Sequence, residues 1–311
     1  MRLPRRRRRF GPLEAGVGLV GLALLVTAIV ALASGPTGRR TSALVSPRPT
    51  TRAPASASPG RPADSPSPSP ANSLLSINSI FGKPADLSRI PASRRVSLVV
   101  TGDIIPARHT NEQMLQRGNF RWPFEPTADY LHTGDIEFIN LEAPLFATCK
   151  PSSTGMSFCG DPRFIDGLAY AGINVANLSN NHLTNFGPTG TNSTEKLLTD
   201  HQIQPTGLGL LAKMTVKGVR FAFLGFNGVG TAVPRAEMQR EIAAARPTAD
   251  VLVVQFHWGR EYVLTPQSTG DSIAPDDPRE IGHLAIDDGA DLVIGNHPHA
   301  VQGVEIYRDK L

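Results

Sequence analysis

From residue 95 onward the chain repeats one unit: a short apolar, β-branched run that ends on a polar or ionisable residue. The runs are VSLVVTGD (strand residues Val96 to Thr101), DIEFINLE from Asp135, INVANL, VLVVQFHWG and DLVIGNHPH. Between them lie helical stretches near Thr110 to Gln116, from Pro162 to Ala171, from Pro188 to Asp200, from Glu237 to Ala245 and from Pro278 to Asp288. Asp161 and Gly172 bracket the second of these as start and stop signals. MTVKGVRFAFLGF reads as a hairpin about Lys217-Gly218. Strands alternating with helices of about ten residues make parallel βαβ units, so the fold class is α/β. Ligands of such sheets gather at the carboxyl ends of the strands.

Those ends carry Asp103, Glu142, Asn181 with His182, His257, and His297 with His299, which are expected to meet along one sheet edge. Taken singly, most have an ordinary explanation. Asp103 after a glycine fits a turn or cap, Glu142 fits a salt bridge, and an isolated His257 fits a structural role. Asn181-His182, in NLSNNHLTNFG, could cap a helix or serve a site. The sharpest local signal is NHPH. Pro298 biases His297 toward the extended region, and residues i and i+2 of an extended segment point the same way. His297 and His299 are therefore expected as a two-pronged imidazole pair. Carboxylate, amide and imidazole ligands together suit Mn, Zn or Fe better than Ca or Mg. No Gly-x-Ser-x-Gly elbow, P-loop or dinucleotide fingerprint is present.

Charge divides the chain. Residues 95–311 hold 17 Lys and Arg against 24 Asp and Glu, a net of −7, whereas residues 1–94 hold 14 against 3, a net of +11. The basic balance belongs to the leader, so it gives no case for nucleic acid, and no nucleic-acid partner is expected. The leader places six arginines (Arg2, Arg5 to Arg9) before an uncharged apolar run from Ala15 to Ser34. That run has membrane length, and the arginines hold their end in the cytoplasm. Residues 1–12 read as a cytoplasmic segment, 13–34 as an uncleaved single-pass anchor, and 35–94 as a linker rich in Pro, Ser and Ala. The alternative is a cleavable signal peptide, because Ala31-Leu32-Ala33 fits a cleavage site. Residues 95–311 then form an extracellular domain. On the oxidising side Cys149 and Cys159, the two cysteines, are expected to pair. Free thiols in a reducing cytoplasm are the alternative.

The order of GDIIPAR, INLEAPL, AGINVANLSNNHLTNFG, VVQFHWGREY and DDGADLVIGNHPHAVQGVEIY resembles the CapA family. These are capsule or poly-γ-glutamate synthesis proteins related to calcineurin-like metallophosphoesterases. The resemblance implies a four-layer αββα metallophosphatase-like sandwich that makes, exports or anchors an anionic surface polymer with other subunits of an assembly complex. It places Asp103, Asn181, His257, His297 and His299 at metal-ligand positions, Glu142 at a bridging position and His182 at a catalytic one. Arg108 matches a basic position suited to an acidic substrate. Three positions depart from the pattern: Ile105 replaces a second early ligand, Asn185 an acid and Asn296 a histidine. One of two metal positions is therefore expected to be weak. A Leu-Gly-Asn-Phe strand usual in the family does not follow, so the sequence is expected to be a truncated member. Two functions fit: a metal-dependent hydrolase or transferase on phosphoester or γ-glutamyl amide bonds, and a non-catalytic accessory of a polymer-assembly complex.

Overall fold

The computed structural model describes residues 86–150 and 152–311. The expected cytoplasmic segment 1–12, the anchor 13–34 and linker residues 35–85 lie outside the described residues. No helix among the described residues is long and apolar enough to cross a membrane. Residues 86–94, read as linker, hold local structure among the described residues. A short 3-10 turn occupies Ala92–Arg94, and the Arg95 guanidinium donates to the carbonyls of Ile90 and Leu87 at 2.9 and 2.7 Å.

Among the described residues, eight strands form two four-stranded sheets. The first, in spatial order β1-β2-β3-β4, holds Leu98–Ile104, Ile136–Leu141, Val175–Asn177 and Gln204–Thr206, all parallel. The second, β5-β6-β7-β8, holds Ala212–Val216, Val219–Asn227, Val251–His257 and Leu292–Asn296. There β5 and β6 form the antiparallel hairpin, turned by Lys217 and Gly218 at φ 50° and 72°. The remaining neighbours are parallel. The helices are α1 (Arg108–Arg117), α2 (Ala128–Leu131), α3 (Ile165–Tyr170), α4 (Gly187–Asp200), α5 (Arg235–Ala245) and α6 (Pro278–Asp288). Asp161 starts the α3 segment by accepting from the Arg163 N–H at 2.9 Å. Strand β4 is one that the apolar pattern missed. It is three residues long and contains Pro205, which an edge strand tolerates.

The alternation of side chains along each strand produces the layers. In β2, Ile139 and Leu141 join a core with Met114, Leu168 and Leu198 of the helices, whereas Ile136 and Phe138 face the second sheet. In β6 and β7, Leu224, Phe226, Leu252 and Val254 pack on Met238, Ile242, Ile281 and Ala285 of α5 and α6. Phe221, Phe223 and Val253 turn the other way, and Phe138 meets Phe223 edge-on across the gap at 5.1 Å. The order is helices, sheet, sheet, helices.

Followed toward the strands' C-terminal ends, the inter-sheet face changes character. Ile136 and Phe138 give way to Asn140 and Glu142, Val175 to Asn177, and Val251 and Val253 to Gln255 and His257. The sandwich is apolar inside and polar at one mouth.

Two expectations need correction. The polar stations do not share one sheet edge: Asp103, Glu142 and Asn181 come with the first sheet, and His257, His297 and His299 with the second. Nor is NHPH extended. Strand β8 stops at Asn296, and His297 and His299 take φ of 94° and 50°, in the left-handed region. Bulky residues hold such a φ at a steric cost and persist there where surrounding contacts enforce it.

Candidate metal centre

Asp103 reaches the mouth through an irregularity in β1. Val100 pairs with Phe138, but the next pairing is Asp103 with Asn140, three residues against two. This bulge shifts the pleat by one and sets Asp103 on the inter-sheet side, as bulges beside sites do. The Asp103 Oδ1 accepts from Asn140 Nδ2 at 2.7 Å, and Oδ2 lies 3.0 Å from His299 Nδ1. Oδ2 also accepts from the His297 backbone N–H at 3.1 Å, one of the contacts that hold the strained NHPH turn.

Glu142, with its side chain 1% exposed, places Oε1 3.4 Å from His257 Nε2 and 3.9 Å from His182 Nε2. His257 is fully buried. Its Nδ1 meets the Asn140 amide at 3.2 Å and its Nε2 meets Asn181 Oδ1 at 3.0 Å. The ligand atoms of Asp103, Glu142 and His257 lie within 4.8 Å of one another, as do those of Glu142, His297 and His299. Glu142 belongs to both groups.

Burial raises the Glu142 carboxyl to about 8, with repulsion from Asp103 adding to it. Burial acts on Asp103 too, but hydrogen bonding to His299, the charge of His257 and the Asn140 amide outweigh it and leave the group at about 2. Burial brings His257 and His297 down to about 4. The hydrogen bond to Asp103 raises His299. Neutral imidazoles beside buried carboxyls are good ligands for a cation. Two observations fit a cation here: Glu142 Oε2 and His297 Nδ1 are both buried without a hydrogen-bond partner, and unpaired buried polar atoms are costly in the absence of a ligand.

The asparagines after β3 divide the work. Asn177 Oδ1 accepts from the Ser179 N–H at 3.1 Å. Asn180 Oδ1 accepts from the N–H groups of His182 and Leu183 at 3.2 and 2.9 Å. Asn180 therefore satisfies the N–H groups of the turn, α4 has Phe186 at its N-cap with no side-chain cap bond, and Asn181 is free to face His257. His182 stacks on Phe158 with ring centres 3.8 Å apart, and its Nδ1 lies 3.0 Å from Asn185 Oδ1.

Arg108 is exposed at the start of α1 and approaches the cluster only through Phe158, its guanidinium carbon 5.8 Å from the ring centre. Ile105 packs with Ala107, Ala143 and Phe158 and offers no ligand atom. Asn296 is buried and accepts from the Gln255 amide rather than meeting either ligand group. Sequence reasoning passed over Asn140, although an amide inside the apolar run IEFINL is itself a signal. It also passed over Glu261, whose Oε1 stands 3.9 Å from Nε2 of both His297 and His299. No periodicity marks Glu261, because it lies in the loop after β7.

Cys149 and Cys159 are bonded, with Cα atoms 5.8 Å apart. Peptide mapping of the purified protein without reduction is expected to find the two cysteine peptides linked. Two alkylatable thiols would contradict the pairing. Replacing both by serine is expected to cost about 3 kcal/mol of stability, the entropy of closing so short a loop.

The layering and the donor set define an α/β sandwich with a candidate metal centre at its strand ends. The profile of the bacterial capsule synthesis protein PGA_cap family matches residues 97–311, and the chain belongs to that family. It is similar to the capsule biosynthesis protein CapA of Bacillus anthracis, 27% identical over 244 residues, which are 70% of this chain and 57% of that protein. It is also similar to a probable polyglutamine synthesis accessory protein of Mycobacterium tuberculosis strain H37Rv, 29% identical over 248 residues, 68% of this chain and 62% of that one. The chain thus spans 57% and 62% of the lengths of these two relatives. A hypothetical protein of known structure from Thermus thermophilus aligns with a TM-score of 0.42 and 16% identity, covering 67% of this chain and 75% of that one.

Proposed function

We propose that the protein is a membrane-anchored, extracellular CapA-like component of a pathway that makes, exports or anchors an anionic capsule polymer such as poly-γ-glutamate. In this reading its metallophosphatase-like strand-end site is a divalent-metal centre acting in hydrolysis or group transfer on a phosphoester or γ-glutamyl amide. The observation that carries the reading is the pair of ligand groups sharing Glu142. Asp103, Asn181, His257, His297 and His299 supply the remaining ligands, and Mn, Zn or Fe suits such a set. A bound ion supplies Lewis acidity and lowers the pKa of water. His182 has Nδ1 committed to Asn185 and presents Nε2 toward the cluster, where it can carry a proton. Arg108, exposed beyond Phe158, attracts an anionic substrate. Metal analysis of the purified chain under metal-replete conditions tests the reading, with stoichiometric metal expected.

The non-catalytic alternative has one observation in its favour. Ile105, where the family resemblance puts an early ligand, packs with Ala107, Ala143 and Phe158, which lowers the donor count at one position. Protein that binds no metal would favour an accessory subunit working with other members of an assembly complex.

Location follows from the leader: six arginines beside an apolar run of membrane length. Protease added to intact cells is expected to release a domain beginning near residues 75–95. A domain protected until the cells are lysed would overturn the topology.

A further inference from the structure

We propose that Phe158 and Asn185 are positioning residues for His182, and that the Cys149–Cys159 bond holds them against it. This rests on the reading of His182 as the proton carrier of the strand-end site. The starting point is one atom, Asn185 Oδ1. It accepts from the Phe158 backbone N–H at 2.8 Å and stands 3.0 Å from His182 Nδ1. A backbone N–H can only donate, so the Asn185 atom facing it is the carbonyl oxygen and not the amide nitrogen. The same oxygen then requires a donor from His182, which puts the imidazole proton on Nδ1. Nε2 is left with its lone pair, pointing toward Glu142 Oε1 at 3.9 Å. Which nitrogen of His182 is free to take a proton is therefore decided by the backbone of residue 158.

Phe158 fixes the ring plane as well. It is buried, and it lies against the imidazole at 3.8 Å with 16° between the planes. Its position depends on the disulfide loop, because Cys159 is the next residue. Beyond it Gly160 is tied back to the chain after β2: its N–H donates to Pro144 O at 2.9 Å and its carbonyl accepts from Phe146 N–H at 3.3 Å. The Cys149 N–H donates to Phe146 O at 3.1 Å, so both ends of the loop are pinned to one segment. Between them residues 152–157 are exposed. Without the bond, the loop would keep its backbone anchors at Cys149 and Gly160, and Phe158 would lose the covalent constraint on the residue beside it. An exported domain thus uses its disulfide to set a tautomer as well as to restrain the unfolded chain.

The test reads the tautomer and requires no activity. Full-length protein labelled with 15N-histidine, solubilised in detergent and treated with chelator, is observed by long-range 15N–1H correlation at one pH. The His182 signal is assigned by its loss in His182→Gln. The parent is expected to show the Nδ1–H pattern. Asn185→Leu and the double variant Cys149→Ser/Cys159→Ser are expected to lose it and to show Nε2–H, whereas Asn185→Asp, which keeps an oxygen acceptor, retains it. Phe158→Ala is expected to lose it in part. A parent with Nε2–H, or an Asn185→Leu protein with the parental pattern, would overturn the assignment. A double-serine protein with core methyl resonances and the Nδ1–H pattern both unchanged would overturn the role of the disulfide. If the chain binds no metal while the tautomer results hold, the catalytic reading fails and the positioning assignment stands.

Discussion

His297→Ala is expected to reduce bound metal sharply, whereas His182→Ala is expected to keep the parent's metal content and lose any turnover. His297 is a member of one of the two ligand groups, and its buried Nδ1 lacks a hydrogen-bond partner. Removing an outer partner of a ligand already costs roughly 10- to 100-fold in metal affinity, so losing a ligand itself should cost more than about 100-fold. His182 belongs to neither group and touches the cluster only at 3.9 Å from Glu142. Elemental analysis of both variants beside the parent makes the comparison. Equal metal in all three would defeat the ligand assignment. The apolar Ile105 leads us to expect between one and two equivalents in the parent, so the contrast between the variants decides.

Gly225→Ala is expected to destabilise the domain by about 2–6 kcal/mol, the sum of an overpacking cost of about 1–3 kcal/mol and about 1–3 kcal/mol for one buried group left unpaired. A Cβ at Gly225 would collide with Asn177 Oδ1. Gly225 is in β6 and Asn177 in β3, so this is where the two sheets approach at the polar mouth. Asn177 cannot withdraw cheaply. Its Nδ2 donates to Asn140 Oδ1 at 2.9 Å, and Asn140 in turn holds Asp103 and meets His257. Gly282, on α6, is the internal control. A Cβ there meets Trp258 at an ordinary 3.5 Å, so Gly282→Ala should stabilise by about 0.5–1 kcal/mol through helix propensity. Urea unfolding of both variants reads the difference. A Gly225→Ala protein as stable as the parent would show that the sheets do not close on Asn177.

Much of this architecture is visible in one dimension. Strand runs such as IEFINL and VLVVQFH follow from β-branched and apolar residues, and α6 from Asp277 before Pro278 and Gly289 after Asp288, because these signals are local. The station residues were also legible, since an apolar run that ends on Asp, Glu, Asn or His shows its polar end directly. Their arrangement was not. Asp103 faces the site only because β1 carries an extra residue against β2, and a bulge leaves no mark on the apolar pattern. His297 and His299 sit in a left-handed turn held by Asp103, a partner 194 residues away, where local rules for X-Pro predict an extended chain. Asn140, Asn177 and Gly225 interlock across two sheets, and Glu261 arrives from a loop without periodicity. Propensity and pattern act over a few residues. The face a side chain presents at a strand end, and the partner it finds there, depend on register and on the closing of one sheet over the other, which only the folded chain decides.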